Sequence, residues 1–275
     1  MKLLRSILPF LLLSFVAQAQ SPVKDGAILA EFSVSDSTKV YFSQGNLQYQ
    51  ASTNTWRFAE HQWNYVGKDN ENISKKYKGW IDLFGWGTSG YNSKNPYETI
   101  LNFSDYGDGE NDIAGTNYDW GVYNKISNGG NQAGLWRTLT IYEWYYLINT
   151  RVNASNKNGI ATVNGVSGLI LLPDTWTLLD GMTFTSGTNG DFALNTYSAS
   201  DWSKMEMNGA VFLPAAGSRY ETDIRGVGSF GTFWSSSAYD GGSAVCLHFD
   251  SVFVYADHMC RCSGRSVRLV QDVRK

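Results

Sequence analysis

Residues 228–270 read GSFGTFWSSSAYDGGSAVCLHFDSVFVYADHMCRCSGRSVRLV, and two kinds of residue are interleaved there. Trp234, Ser235, Ser236, Leu247, Phe249, Val254, Gly264, Val267 and Leu269 have the character of a packed frame. Val245, Cys246, His248, Asp250, Val252, Phe253, Tyr255, Asp257, His258, Met259 and Cys260 share no common chemistry. Successive side chains of a strand point to opposite faces. A strand over Ala244–Ser251 therefore turns Leu247 and Phe249 one way and Cys246, His248 and Asp250 the other. A second strand over Val252–Asp257 points Val254 inward and Phe253, Tyr255 and Asp257 outward. The pattern predicts two adjacent strands with a regular inner face and a heterogeneous outer face.

Working outward, the composition fits such a frame. Charged residues are 17% of the 275, below the usual share of about 25%, while aromatic residues reach 15% and glycines number 28. That is the composition of a loop-rich β-containing protein whose loops are pinned by large rings. A net charge of -3 and no clustered Lys/Arg stripe give no electrostatic basis for nucleic-acid binding. Residues 1–19 read as an export signal: Lys2 and Arg5, the apolar run Ile7–Val16, then Ala17-Gln18-Ala19. The apolar run is shorter than the roughly 20 residues of a membrane span, and no other segment is a candidate. The chain is expected to be exported, with residues 20–275 forming a single domain.

Upstream, Ala27–Tyr49 alternates as strands, and Trp56–Val66 adds short aromatic ones. Asn72–Tyr77 fits one helical turn. Trp80–Tyr91 (WIDLFGWGTSGY) reads as a buried irregular loop, and Asn92–Asn131 as a long loop packed around Tyr118, Trp120 and Tyr123. A helix is predicted over Ile141–Thr150. Thr140 is its N-cap, Glu143 completes a capping box, and Trp144, Leu147 and Ile148 form an apolar stripe. Asn164-Gly165 marks a hairpin between Ala161–Val166 and Gly168–Leu172. A second helix fits Ser200–Met207, capped by Ser200 or Ser198, and Ala210–Leu213 reads as a buried strand ending at Pro214.

Four chemistries can be weighed on these residues. Asp105–Asp112 (DYGDGEND) offers the oxygen ligands of a Ca²⁺ site but lacks the alternating pattern and terminal Glu of a calcium loop, so it reads as a solvated turn. His248, Asp250, Asp257, His258, Cys260 and Cys262 match no standard zinc spacing. Ser235–Ser237 stand outside any G-x-S-x-G elbow and read as serines bonded to backbone. The abundant aromatics raise sugar binding at loop tryptophans such as Trp86 or Trp120. Of the three cysteines, Cys260 and Cys262 are poorly placed to pair with each other. A bond from Cys246 to one of them is conceivable, and so are three free thiols. No cofactor is expected.

With these residues in view, the chain resembles the bacterial major paralogous domain family, which is similar in turn to the variable proteins of diversity-generating retroelements. VYFSQGNLQYQ, WRFAEHQWNYVG, DLFGWGTSGYN, YDWGVYN, GLWRTLTIYEWYYLINTR, GLILLPDTW, FLPAAGSRY, FWSSS and SGRSVRLV carry the resemblance, in order from Val40 to Val270. It implies an α+β C-type lectin fold with two main helices, short antiparallel strands and long irregular loops, in the branch also used by the formylglycine-generating enzyme. That branch needs a pair of active-site cysteines in a setting that Cys260 and Cys262 do not share, so catalysis is not carried over.

In retroelement members, adenine-rich codons near the C-terminus are rewritten while scaffold codons stay. Carried onto this chain, Trp234–Ser236, Leu247, Phe249, Val254, Arg261, Cys262, Gly264 and Ser266–Val270 are scaffold. Ser243, Val245, Cys246, His248, Asp250, Val252, Phe253, Tyr255, Asp257, His258, Met259, Cys260 and Ser263 are the diversified, ligand-contacting set. Met259 does not derive simply from an Asn codon. The resemblance implies a non-enzymatic exported binder, periplasmic, at the cell surface or extracellular, of a protein or glycan on another cell or phage, with Phe253 and Tyr255 as anchors. The rival readings are a fixed-site carbohydrate adhesin and a metal-dependent enzyme.

Overall fold

The computed structural model describes residues 23–98 and 105–273. The export signal read at residues 1–19 lies outside them. β1 (Lys39–Phe42) leads into a hairpin of β2 (Leu47–Gln50) and β3 (Thr55–Phe58). A long irregular stretch follows, with 3₁₀ turns and one four-residue helix, α1 (Trp120–Tyr123). α2 (Ile141–Tyr145) continues as a π-helical turn to Thr150. The hairpin β4 (Asn158–Val163) and β5 (Val166–Leu171) is followed by α3 (Ala199–Met207) and β6 (Val211–Pro214). Antiparallel β7 (Phe230–Ala238), β8 (Ser243–Asp250) and β9 (Val254–Cys260) come next, and β10 (Val270–Asp272) returns to pair with β1. The described residues are thus a mixed α+β structure of several small sheets with few helices. Among them no helix is long and apolar enough to cross a membrane.

Local chemistry accounts for the regular elements. The Thr140 hydroxyl accepts from the Glu143 N–H, and the Glu143 carboxylate accepts from the Thr140 N–H, so the capping box starts α2 as its sequence predicts. The helix does not run to Thr150 in α form. The Arg151 guanidinium donates to the Leu147 carbonyl at 2.8 Å, and the last turn widens around that inserted side chain. Ser198 caps α3. Asn164 and Gly165, at φ 48° and 80°, make the two-residue turn between β4 and β5. The single helical turn expected over Asn72–Tyr77 is absent; the turn lies earlier, as 3₁₀ over Gly67–Glu71. There Asn70 can bond the buried Asp82 carboxylate, an attachment no residue in 72–77 makes.

The irregular stretches are held by polar groups of buried rings and charges. Trp86 donates its indole N–H to the Ser235 carbonyl, and Trp234 returns the bond to Phe84. Trp120 bonds Thr88 and Trp136 bonds Gly129 in the same way. The Trp120 and Trp136 bonds satisfy loop carbonyls outside any sheet or helix, while the Trp86 and Trp234 bonds tie residues 84–86 to β7. Asp82 and Asp119 are fully buried carboxylates. Asp82 accepts from the Val66 N–H and the Asn70 amide, Asp119 from the Thr138 N–H and hydroxyl. Burial pushes both pKa values up to about 6, against the pull of those bonds. Gly107, at φ 67°, lies against the face of Trp86, where a Cβ would overlap the ring.

Two core clusters meet at the β7–β8–β9 sheet. One packs Leu247, Phe249 and Phe233 against Trp144, Leu147 and Ile148 of the helical segment. The other packs Ala244, Cys246 and Trp234 against Trp86, Phe84 and Trp120. The sheet is therefore covered on both faces at one end, and that decides what its surface can display.

Candidate functional surface on the C-terminal sheet

Register assigns every predicted contact residue to a face. Cys246 pairs with Trp234 and Asp257, and His248 with Thr232 and Tyr255. Directly paired residues share a side, so Cys246, His248, Asp250, Tyr255, Asp257 and Met259 lie on one face. Ser243, Val245, His258 and Cys260 lie on the other, with Leu247 and Phe249. Val252 and Phe253 form the turn, and Ser263 follows β9. The expected single heterogeneous face is thus corrected to two faces joined at a turn. The inner residues Leu247, Phe249 and Val254 do pack into the core as the alternation predicts.

Four of the thirteen positions are structurally committed. Cys246 is 0% exposed, and burial pushes its thiol up to about 11. It is a core residue and not a contact residue, because the Trp86 and Phe84 loop covers the outer face at that point. The Asp250 carboxylate accepts from the Val252 and Phe253 N–H groups at 2.6 and 2.7 Å, so it builds the turn. Cys260 is bonded to Cys262 across a Cα separation of 5.2 Å, against the expectation that these two would not pair. The chain leaves β9 in a turn after Cys260, so the two side chains no longer obey strand alternation. Met259 packs onto the second core cluster.

The positions left outside are grouped at the turn and along β9. Val252, Phe253 and Tyr255 are 47%, 61% and 44% exposed, and His258 is exposed as well. The turn is rigidly held: Thr188 donates its hydroxyl to the Val252 carbonyl, and the Gly190 N–H donates to Ser251. β9 is the edge of its sheet. His248 lies just below the surface, stacked on Phe230 at 5.6 Å and tilted against Tyr255 at 4.9 Å. Its Nδ1 is buried without a hydrogen-bond partner, and burial lowers its pKa. Asp250 is 3.9 Å away, and its charge opposes that shift.

Sequence reasoning missed three neighbours of this surface. Tyr239 stacks face to face on His258, 4.0 Å between centroids. Tyr145 of α2 borders the same small cleft as Tyr255 and Ala256. Arg265 lies over the Trp234 ring, 5.3 Å from its centroid; its Nε has no acceptor, and burial lowers its pKa. The i, i+3 spacing from Tyr142 to Tyr145, opposite Trp144, was a usable signal for an exposed aromatic helix face; nothing in sequence brings Tyr239 to His258.

The frame residues behave differently. The Ser235 hydroxyl donates to the Val245 carbonyl, and the Ser237 hydroxyl accepts from the Ile141 N–H, so both are occupied structurally. Arg261 is fully buried over Trp86 and donates to Ser243, Tyr106, Gly109 and Asp240 carbonyls. It thereby ties the start of β8 to the acidic loop 105–112. In that loop Asp112 accepts from the Ala238 N–H. Among the described residues no three His, Cys, Asp or Glu side chains gather as a metal-binding group. Trp86 and Trp120 are fully buried and present no ring face to a sugar.

Compared with known proteins, the chain matches no family model, no curated protein and no solved structure.

Proposed function

We propose that this chain is an exported, non-catalytic binding protein with a C-type lectin fold, and that its C-terminal hairpin is a diversified surface for a protein ligand. The observation that carries the reading is the division of labour within residues 233–270. Trp234, Ser235, Leu247, Phe249, Arg261 and Val267–Val270 are buried and tied to distant segments, while Val252, Phe253, Tyr255 and His258 stand exposed on a braced turn and an edge strand. Large rings on a rigid turn bring contact area at little ordering cost, the arrangement expected of binding anchors. The contact set is narrower than the resemblance implies: Val252, Phe253, Tyr255 and His258 are its exposed members, Ser243, Val245, Asp257 and Ser263 its half-buried ones, with His248 beneath them. A thiol held at about 11 and hydroxyls committed to backbone support a non-catalytic role for Cys246 and Ser235.

Sequencing this gene across a population tests the reading. Differences should concentrate in the codons of the exposed set, with a near-copy of the 3′ end beside a reverse transcriptase. Identical codons in every copy and no near-copy would refute diversification.

A further inference from the structure

A second recessed surface lies away from the C-terminal hairpin and shares no residue with it. It is a cleft of about 280 Å³ between the β2–β3 hairpin and the loops at 75, 89–97 and 123–124, near the lower end of small-molecule sites, roughly 300–1,000 Å³.

Three tyrosines and three asparagines stand in its walls. Tyr123 is 43% exposed and braced edge-on by Tyr91, 5.5 Å between centroids. Tyr97 is stacked with Tyr49 at 17° between planes. The amides are oriented from behind. Asn54 Oδ1 accepts from the Tyr49 hydroxyl at 3.1 Å, leaving its NH₂ without an acceptor among the described residues. Asn124 spends its NH₂ on the Ser89 and Trp120 carbonyls, leaving its oxygen without a donor there. Asn95 does the same through Ser93 and Glu98. Lys75 also lines the cleft, and its ammonium has no hydrogen bond or ion pair among the described residues.

One amide thus offers its donor group and two offer their acceptors in one recess, beside ring faces. A hydroxyl both donates and accepts, so adjacent hydroxyls on a ring match such a set, and the C–H face of that ring matches a tyrosine. An apolar side chain would find only Ala51 as an aliphatic partner in the lining. A cation would find no carboxylate in the lining, and an anion one ammonium. We propose that this cleft binds a neutral sugar residue, as a fixed site separate from the variable surface.

Saturation-transfer NMR on the full chain, with methyl glycosides of neutral hexoses and N-acetylhexosamines as probes, tests the assignment. At least one probe should receive saturation. Tyr123→Ala and Asn54→Gly should each weaken its binding about tenfold, the effect of one lost hydrogen bond or stacking contact. Asn54 sits at φ 51°, so glycine removes the amide without backbone strain. Phe253→Ala should leave sugar binding unchanged, which keeps this result independent of the C-terminal surface. The proposal is overturned if no probe receives saturation or if binding survives both cleft substitutions.

Discussion

Placing a charge at position 246 distinguishes a core residue from a variable one. Cys246 belongs to the diversified set by resemblance but is fully buried against Trp234 and Trp86. Burial pushes its thiol from 9.0 up to about 11, so charging a group there costs about 3 kcal/mol at roughly 1.4 kcal/mol per tenfold. A lysine meets that cost and overpacking of about 1–3 kcal/mol, while the Arg265 charge that opposes it is offset by the paired Asp257. Cys246→Lys should therefore lose about 4–6 kcal/mol. For a chain of this size that is a fall in melting temperature of about 10–20 °C. Cys246→Leu, which overpacks without charging, should lose about 1–3 kcal/mol. Val252→Lys, at the exposed turn, should stay within about 0.5 kcal/mol of the parent. Thermal melts followed by near-ultraviolet circular dichroism read all three. If Cys246→Lys melts within about 3 °C of the parent, the outer face of β8 is open there and the division of positions argued above fails.

Three further outcomes are expected. Arg261→Met removes one donor from each of four backbone carbonyls, of which Ser243 keeps the Tyr239 N–H, and should cost about 3–5 kcal/mol, since a buried acceptor left unpaired costs roughly 1–3 kcal/mol; a chemical-denaturation midpoint unchanged from the parent would contradict its role. Phe253→Ala with Tyr255→Ala should leave the melting temperature within about 2 °C while weakening a captured protein ligand at least about thirtyfold, the range of an interface anchor; undiminished binding in a titration would remove the turn from the contact surface. For His248, burial holds the folded pKa below 6.5. The folded state then binds fewer protons than the unfolded one, so stability is complete above about pH 6.5 and falls as pH drops below it. His248→Phe should flatten that fall between about pH 7.5 and pH 5. Asp82 and Asp119, raised to about 6, act in the opposite direction: their contribution is fully present near pH 4 and is lost as pH rises through 6. They are common to both proteins and cancel in the difference, so parallel pH profiles would refute the assignment.

What could be read locally was read correctly where one short segment holds all the partners. The capping box at Thr140 and Glu143 and the Asn164-Gly165 turn each close within four residues, so residue types and spacing suffice; for α3 they leave Ser198 and Ser200 as alternatives, and Ser198 is the cap. The alternation of Leu247 and Phe249 likewise told which side chains share a face. The carboxylate turn at Asp250 is legible in principle from its Asp-Ser-Val-Phe run, although the resemblance assigns that position to the variable set.

The sequence by itself determined the α+β character, the start of α2, the hairpin at 164–165 and the sidedness of β8. Only the tertiary structure decided which side of β8 is covered, and where. Alternation has no reference to what lies above a face. The cover over Cys246 comes from residues 84–86, about 160 positions earlier, fastened by reciprocal indole bonds between Trp86 and Trp234 segments. The same long-range packing divides thirteen candidate positions into buried, bonded and exposed, and assembles the Asn54, Tyr97 and Tyr123 cleft from three separate segments. Contacts that join distant residues through backbone carbonyls leave no spacing in the chain to read, because a carbonyl belongs to every residue alike.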